Sequence, residues 1–220
     1  MAKKNNISII KKHLIICEGE DAYRFLIPYL NSPELSDHKE FSNDIQVLNF
    51  GGNEELTNHL GVLLNSEGFD LVESLLIIRD AEKNSNTAIA QIKSSLSKVG
   101  LPVPSTPHEW LSNEKITIGF LLFPVLDHQA TEGTLEDLCI SILSEPKHAP
   151  ILNAIDSFLQ ELKSSHEREF PHEFKTKLHT YFSITDRYVS LKIGEAANAG
   201  AFDWSNGKIN KLKDFMLEIF

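Results

Sequence analysis

Residues 13–21 read His-Leu-Ile-Ile-Cys-Glu-Gly-Glu-Asp, and the fold follows from this stretch. A short apolar run that stops at Glu18-Gly19 predicts a buried strand over His13–Cys17. Ala22, Phe25, Leu26, Tyr29 and Leu30 then fall at helical spacing and predict a helix over residues 21–30, ended by Pro33. The same unit recurs downstream. A second strand over 45–50 breaks at Gly51-Gly52, and Asn53 is placed to cap a helix carrying Leu56, Leu60, Leu63 and Leu64. A third strand over 74–78 runs into Arg79-Asp80-Ala81-Glu82. A helix over 87–99 carries Ile89, Ile92 and Leu96 on one stripe and closes at Gly100. Three prolines at 102, 104 and 107 forbid a regular element there. A fourth strand over 115–123 ends at Pro124. Strands alternating with helices predict an α/β, Rossmann-like fold: a mostly parallel four-stranded sheet flanked by helices on both faces.

After Gly133 the pattern is helical, over 134–143, 151–162, 171–183 and 208–220. The chain therefore divides into an α/β core over residues 1–130 and a helical part over 131–220, packed on the core or completing it.

Composition narrows the function classes. Among 220 residues, 21 Lys and Arg face 31 Asp and Glu, a formal charge of −10. That balance argues against a basic nucleic-acid coat. It leaves room for a nucleic-acid enzyme whose acidic site is neutralised by divalent ions. The two cysteines, Cys17 and Cys139, form no CxxC pair, so disulfide scaffolds and cysteine zinc sites are not expected. No apolar run approaches the ~20 residues of a membrane span, and no signal-peptide apolar region follows the basic N-terminus. A cytoplasmic protein with no membrane partner is the expectation. The nine His show no HxxxH or HExxH spacing.

The chemistry is carried by where the acids fall. Glu18 directly follows strand one, and Asp80 and Glu82 directly follow strand three. In a parallel sheet these ends share one edge, where open α/β sheets bind ligands. Carboxylates gathered in a partly dry cleft repel unless protonated or bridged by a cation, and Mg²⁺ takes one or two of them while leaving room for phosphate oxygens. The competing explanation is that acids at helix N-termini simply favour the dipole, which suffices for Glu20, Asp21, Glu54 and Glu55. Gly51-Gly52 admits two readings, a tight turn or a close approach for phosphate at a helix N-terminus. Asp127 and His128, after strand four, are candidates to line the cleft. Arg79 is expected to pair with a carboxylate, and Trp110 and Trp204 to be packing residues.

Taken in order, Cys17-Glu-Gly-Glu-Asp21, Asn49-Phe-Gly-Gly52 and Ile78-Arg-Asp-Ala-Glu82 resemble the Toprim fold of topoisomerases, DnaG-type primases and OLD-family nucleases. The nearer likeness is to Toprim-like bacterial proteins of unknown function related to the OLD nuclease domain. Those also show a G-x-L-E-D-L stretch, here Gly133–Leu138, a Lys-bearing helix, here Phe174-Lys-Thr-Lys177, and a G-x-A-A segment, here Gly194–Ala197, followed by Phe202-Asp-Trp204. The ordered set spans roughly residues 12–220. The resemblance implies a general acid or base at Glu18 and an Mg²⁺ (or Mn²⁺) site at Asp80 and Glu82. It also implies a further acid, for which Glu136 is the candidate with Asp137 and Glu132 behind it, and a catalytic lysine at Lys175. Two departures stand out: Asp-x-Glu replaces Asp-x-Asp, and Ala22 stands where relatives often carry an acid. Asp21 or Glu20 is the available compensation.

Three functions follow as expectations. The first is a metal-dependent phosphodiester-processing enzyme, a nuclease acting on DNA or RNA. The second is a non-catalytic module binding metal, nucleotide or a protein partner, such as the ATPase that OLD nucleases carry in the same chain. The third, a flavodoxin-like or response-regulator-like domain, lacks a visible fifth strand with a switch lysine.

Overall fold

The computed structural model describes residues 7–38, 42–124, 132–143 and 146–219, the side chain of Asn53 excepted. Asp127 and His128 lie outside the described residues.

Strands β1 (His13–Cys17), β2 (Ile45–Asn49), β3 (Ser74–Asp80), β4 (Trp110–Ser112) and β5 (Thr117–Phe123) form one sheet in the order β2-β1-β3-β5-β4. The first three contacts of that order are parallel pairings, and only β4 runs antiparallel, along β5. The sheet is thus mostly parallel with helices on both faces, and the four expected strands are joined by a fifth, short edge strand. β4 is held from outside the sheet. Trp110 stacks on Phe215 at 4.7 Å between centroids and donates its indole N–H to the Phe215 carbonyl at 3.1 Å. Gly119 makes room for that indole, since a Cβ there would lie 2.6 Å from the ring.

The helices are α1 (Gly19–Leu30), α2 (Leu56–Leu64), α3 (Ser85–Lys98), α4 (Leu135–Leu143), α5 (Ala149–His166), α6 (Glu173–Ser183), α7 (Ile193–Asn198) and α8 (Gly207–Leu217). A 3₁₀ turn over Asn53–Glu55 leads into α2, with Gly52 at its N-cap position. The buried strands send alternate side chains to opposite faces. Leu14, Ile16, Leu75, Ile77, Ile118, Phe120 and Leu122 pack under α2 and α3. Ile15, Cys17, Val47, Leu76, Ile78, Leu121 and Phe123 pack under α1 and the helices after residue 133, in one continuous core. Burying each such Leu, Ile or Phe is worth about 1.5–3 kcal/mol, so the helical part shares its main stabilising surface with the sheet. α7 sits hard against α1, where a Cβ on Gly194 would fall 2.1 Å from the Arg24 Cβ.

The topology fixes where a ligand site lies. The chain leaves β1 through α1 on one face and reaches β2 on one side, whereas it leaves β3 through α3 on the other face and reaches β5 on the opposite side. β1 and β3 are therefore the switch point of the sheet, and the crevice at their C-terminal ends is where open α/β sheets bind ligands.

Candidate functional site

Glu18 and Asp80 flank that switch point. Cys17 is in register with Ile78, and the Glu18 N–H donates to the Ile78 carbonyl at 3.0 Å, so the first residue beyond β1 stays fastened to β3. β3 runs two residues further than its apolar run because Arg79 and Asp80 remain paired with Leu122 and Phe123 of β5. The charged pair is thus inside the strand rather than in a loop.

Arg79 is 1% exposed, among the largest fully buried side chains of the protein. A buried guanidinium needs partners. Its Nε lies 3.3 Å from Glu18 Oε2, and its Nη1 donates to Gln91 Oε1 of α3 at 2.9 Å. The expected pairing of Arg79 with a carboxylate is met by Glu18, whose side chain is 13% exposed.

Among the described residues no cation pairs with Asp80. Its Oδ1 accepts from the Leu135 N–H at 2.9 Å, at the first residue of α4, where the helix dipole also favours negative charge. Opposing this are burial, the largest influence, and the charges of Glu136, Glu18 and, more weakly, Glu82. They win: the Asp80 carboxyl is pushed up to about 8, so near neutrality it holds a proton. Glu136, in the first turn of α4, is itself buried, and its Oε1 lies 3.3 Å from Nζ of Lys175 on α6. Lys175 is half exposed but directed at an acid. The chain thus brings Glu18, Asp80, Glu136 and Lys175 from four elements to one edge.

Glu82 stands apart. It is exposed, and its backbone adopts φ 57°, a left-handed conformation that costs a residue with a side chain about 1 kcal/mol or more. The strain is held by two backbone hydrogen bonds with Gly133, 2.8 Å and 2.7 Å, which tie the end of β3 to the approach to α4. Among the described residues, no three His, Cys, Asp or Glu side chains converge closely enough to hold a metal ion.

The neighbours of these residues sort out the secondary candidates. Thr134 donates its N–H and hydroxyl to Asp137 Oδ2 at 2.8 and 2.9 Å, so Asp137 is the acid engaged by Thr134, while Glu136 turns to Lys175. Glu132 is exposed. Glu20 pairs with Arg24 at 2.6 Å and accepts from Asn49, outside the acidic group. Asp21 is different. The buried Cys139 thiol is pushed up by burial and then by Glu136, Asp21, Asp80 and Asp137, which sets Asp21 among the acids around α4. From the sequence, Asp21 was out of register with the missing acid at Ala22, which is buried. Its only signal was its place two residues after Gly19.

Gly51 and Gly52 lie beside the Glu18 turn, since the Gly19 N–H donates to the Gly51 carbonyl at 3.0 Å. Gly51 adopts φ 85°, which a glycine takes without strain, and its N–H is used by Asn49 Oδ1 at 2.7 Å. A Cβ on Gly52 would meet nothing within 4 Å. The turn alone accounts for Gly51. Trp204 packs edge-on against Phe25 and Trp110 stacks on Phe215, both partly buried against the core.

Among the described residues no helix is long and apolar enough to cross a membrane. No curated protein matches the chain. Two solved structures of the C-terminal region of the Xanthomonas campestris pv. campestris OLD protein, phased with mercury and with iodine, are similar to it. They share 16% and 15% identity, cover 96% of both chains and give a TM-score of 0.41. A family model described as protein of unknown function DUF3226 matches residues 12–220, and the chain belongs to that family.

Proposed function

We propose that this protein is a metal-dependent, Toprim-like phosphodiester-processing enzyme, a nuclease acting on DNA or RNA. The observation that carries the reading is Asp80: a partly buried carboxyl at the switch point, pushed up to about 8 by its desolvation and by three neighbouring acids. A cluster that must hold a proton when alone gains most from a hard cation. All its donors are carboxylate oxygens, which suit Mg²⁺ or Mn²⁺. The ordered likeness of Glu18 and Asp80-Ala-Glu82 to the Toprim pattern supports the same assignment.

In this reading Asp80, Glu82 and Glu136 would hold the ion, which would supply neutralisation of the phosphate and activation of water. The protein's own groups do the rest. Glu18, oriented by Arg79, accepts the proton of the attacking water as its oxygen bonds to phosphorus. The P–O bond to the leaving oxygen breaks, and that oxygen takes up a proton from solvent. Lys175 stabilises the charge gathering on the phosphate.

A second reading is favoured by a specific observation. Among the described residues no three acids converge at ligating distance, and Glu18, Asp80 and Glu136 each already have a protein partner. That arrangement also suits a non-catalytic module that binds a metal, a nucleotide or a protein partner such as an ATPase. Cleavage of single- and double-stranded DNA and RNA, with Mg²⁺ or Mn²⁺, separates the two. Under the first reading Glu18→Gln and Asp80→Asn abolish cleavage while keeping the fold by circular dichroism. Metal binding by the wild type without any cleavage would establish the second.

A further inference from the structure

Beyond the acidic cleft, one face of α6 lines an open groove of about 560 Å³. Its walls are Phe170, His172, Lys175, Thr176, His179 and Thr180, with Pro171 and Ser183 at the margins. From 172 onward these fall at i, i+3, i+4, i+7, i+8 and i+11, a single helical stripe. The opposite stripe, Leu178, Tyr181 and Phe182, is buried in the main core. The groove surface is mostly apolar. Among the residues that line it are three ring side chains, Phe170, His172 and His179, and two threonines. The threonine hydroxyls are turned back to helix carbonyls, Thr176 to His172 and Thr180 to Thr176.

The charge of the stripe is unlike that of the chain. In a protein of net charge −10, the groove is lined, among the described residues, by one lysine, two histidines and no carboxylate. Glu173, the acid nearest in sequence, is paired with Lys163 at 2.5 Å. The lysine is Lys175, whose Nζ lies 3.3 Å from Glu136. One side chain therefore borders both the ring-lined groove and the acidic cleft.

We infer that the α6 groove is a single-stranded nucleic-acid subsite, in which a base lies on the rings of Phe170, His172 and His179 and the adjoining phosphate meets Lys175. This deepens the nuclease reading and rests on it for the direction of the strand, toward Glu136. The pairing of ring surface with a cation is what single-strand binding requires: stacking tolerates any base, and the cation answers the backbone. A duplex hides its base faces and gains nothing from such a groove. A free nucleotide would use the same ring surface but has no second phosphate linkage to follow toward the cleft.

The test is fluorescence anisotropy of a labelled oligo(dT), its RNA counterpart, the matching duplex and a mononucleotide, all in EDTA. Binding is then read without cleavage or metal. The expected order is single strand well above duplex and mononucleotide. His179→Ala and Phe170→Ala each weaken single-strand binding about ten-fold, from the usual worth of one stacked base. Phe170 packs partly on the core, so His172→Glu and Ser183→Glu, both at exposed positions, are the controls for folding. Each puts a carboxylate in the groove and also weakens binding, while circular dichroism is unchanged. Single-strand binding that these four variants leave at wild-type strength, equal binding of duplex, or no binding of any strand overturns the groove. Groove-dependent binding by a protein that never cleaves upholds it and removes the nuclease reading instead.

Discussion

β1 and β3 end side by side, each in a carboxylate, and the two ends handle their charge in opposite ways. Glu18 is answered by a buried guanidinium, with Gln91 completing the arginine's contacts. Among the described residues Asp80, one strand over, is met by one backbone N–H and by the charges of three acids. The first is a compensated charge and the second an uncompensated one. The difference teaches where a cation would add most: not at Glu18, which already has one, but between Asp80 and Glu136.

The largest effect should come from breaking the compensated side. Arg79→Met leaves Glu18 largely buried without its cation and should cost about 3–5 kcal/mol in urea unfolding, the usual penalty for orphaning a buried ion-pair partner. Adding Glu18→Gln to that variant should recover much of the loss. If the double substitution is as unstable as Arg79→Met, Glu18 and Arg79 are not coupled and the contrast between the strand ends fails.

The uncompensated side predicts the reverse sign. The folded-state pKa of Asp80 lies near 8, above its unfolded value of about 3.9. Between those values the folded state holds the extra proton, so stability falls as pH rises from about 4 to 8. Asp80→Asn keeps an oxygen for the Leu135 N–H and removes the ionisation. It should therefore match the wild type near pH 4 and exceed it by a few kcal/mol at pH 8, measured as urea midpoints across that range. An Asn variant less stable than wild type at pH 8 would mean that Asp80 is ionised and well accommodated.

The same proton sharpens the metal proposal. An ion that binds through Asp80 must displace it. Calorimetry in buffers of different ionisation enthalpy should show release of about one proton per Mn²⁺ at pH 7, with affinity rising nearly ten-fold per pH unit between 5 and 7. Release should vanish in Asp80→Asn. Mn²⁺ binding with no proton release places the ion away from Asp80.

Much of this contrast was visible in the sequence. β1 could be read to the residue because its apolar run stops at Glu18-Gly19, and the strand-to-acid rhythm placed Asp80 at the same edge. What escaped depends on partners distant along the chain. β4 is three residues with an exposed pattern, held by Phe215, 105 residues away from Trp110. α7 is six residues whose position is set by the fit of Gly194 against Arg24. At the site, the acids were legible but their partners were not. The Leu135 N–H is 55 residues from Asp80. Local spacing could equally have given Thr134 to Glu136, yet Asp137 takes it and frees Glu136 for Lys175. Periodicity reports which face a residue occupies; it does not report which of two adjacent acids a helix turn will use.

The smallest effect on stability separates the structural from the chemical role of Lys175. Its side chain is 52% exposed, and the pair with Glu136 spans 3.3 Å. Glu136 is buried, but unlike Arg79 the lysine end of this pair stands half in water, which screens it and can replace it, so the pair contributes about 1 kcal/mol. Lys175→Met should thus shift the urea midpoint by no more than that. If Lys175 serves only as the counterion of Glu136, cleavage should change as little as stability. If it meets the phosphate, cleavage should fall about a hundred-fold or more, since a donor aimed at developing charge is worth about 3–4 kcal/mol in a transition state. Lys175→Arg keeps the charge and should restore part of the rate. A Lys175→Met protein that is stable and cleaves normally leaves Lys175 as a surface partner of Glu136, and the contrast between the strand ends then stands without a catalytic lysine.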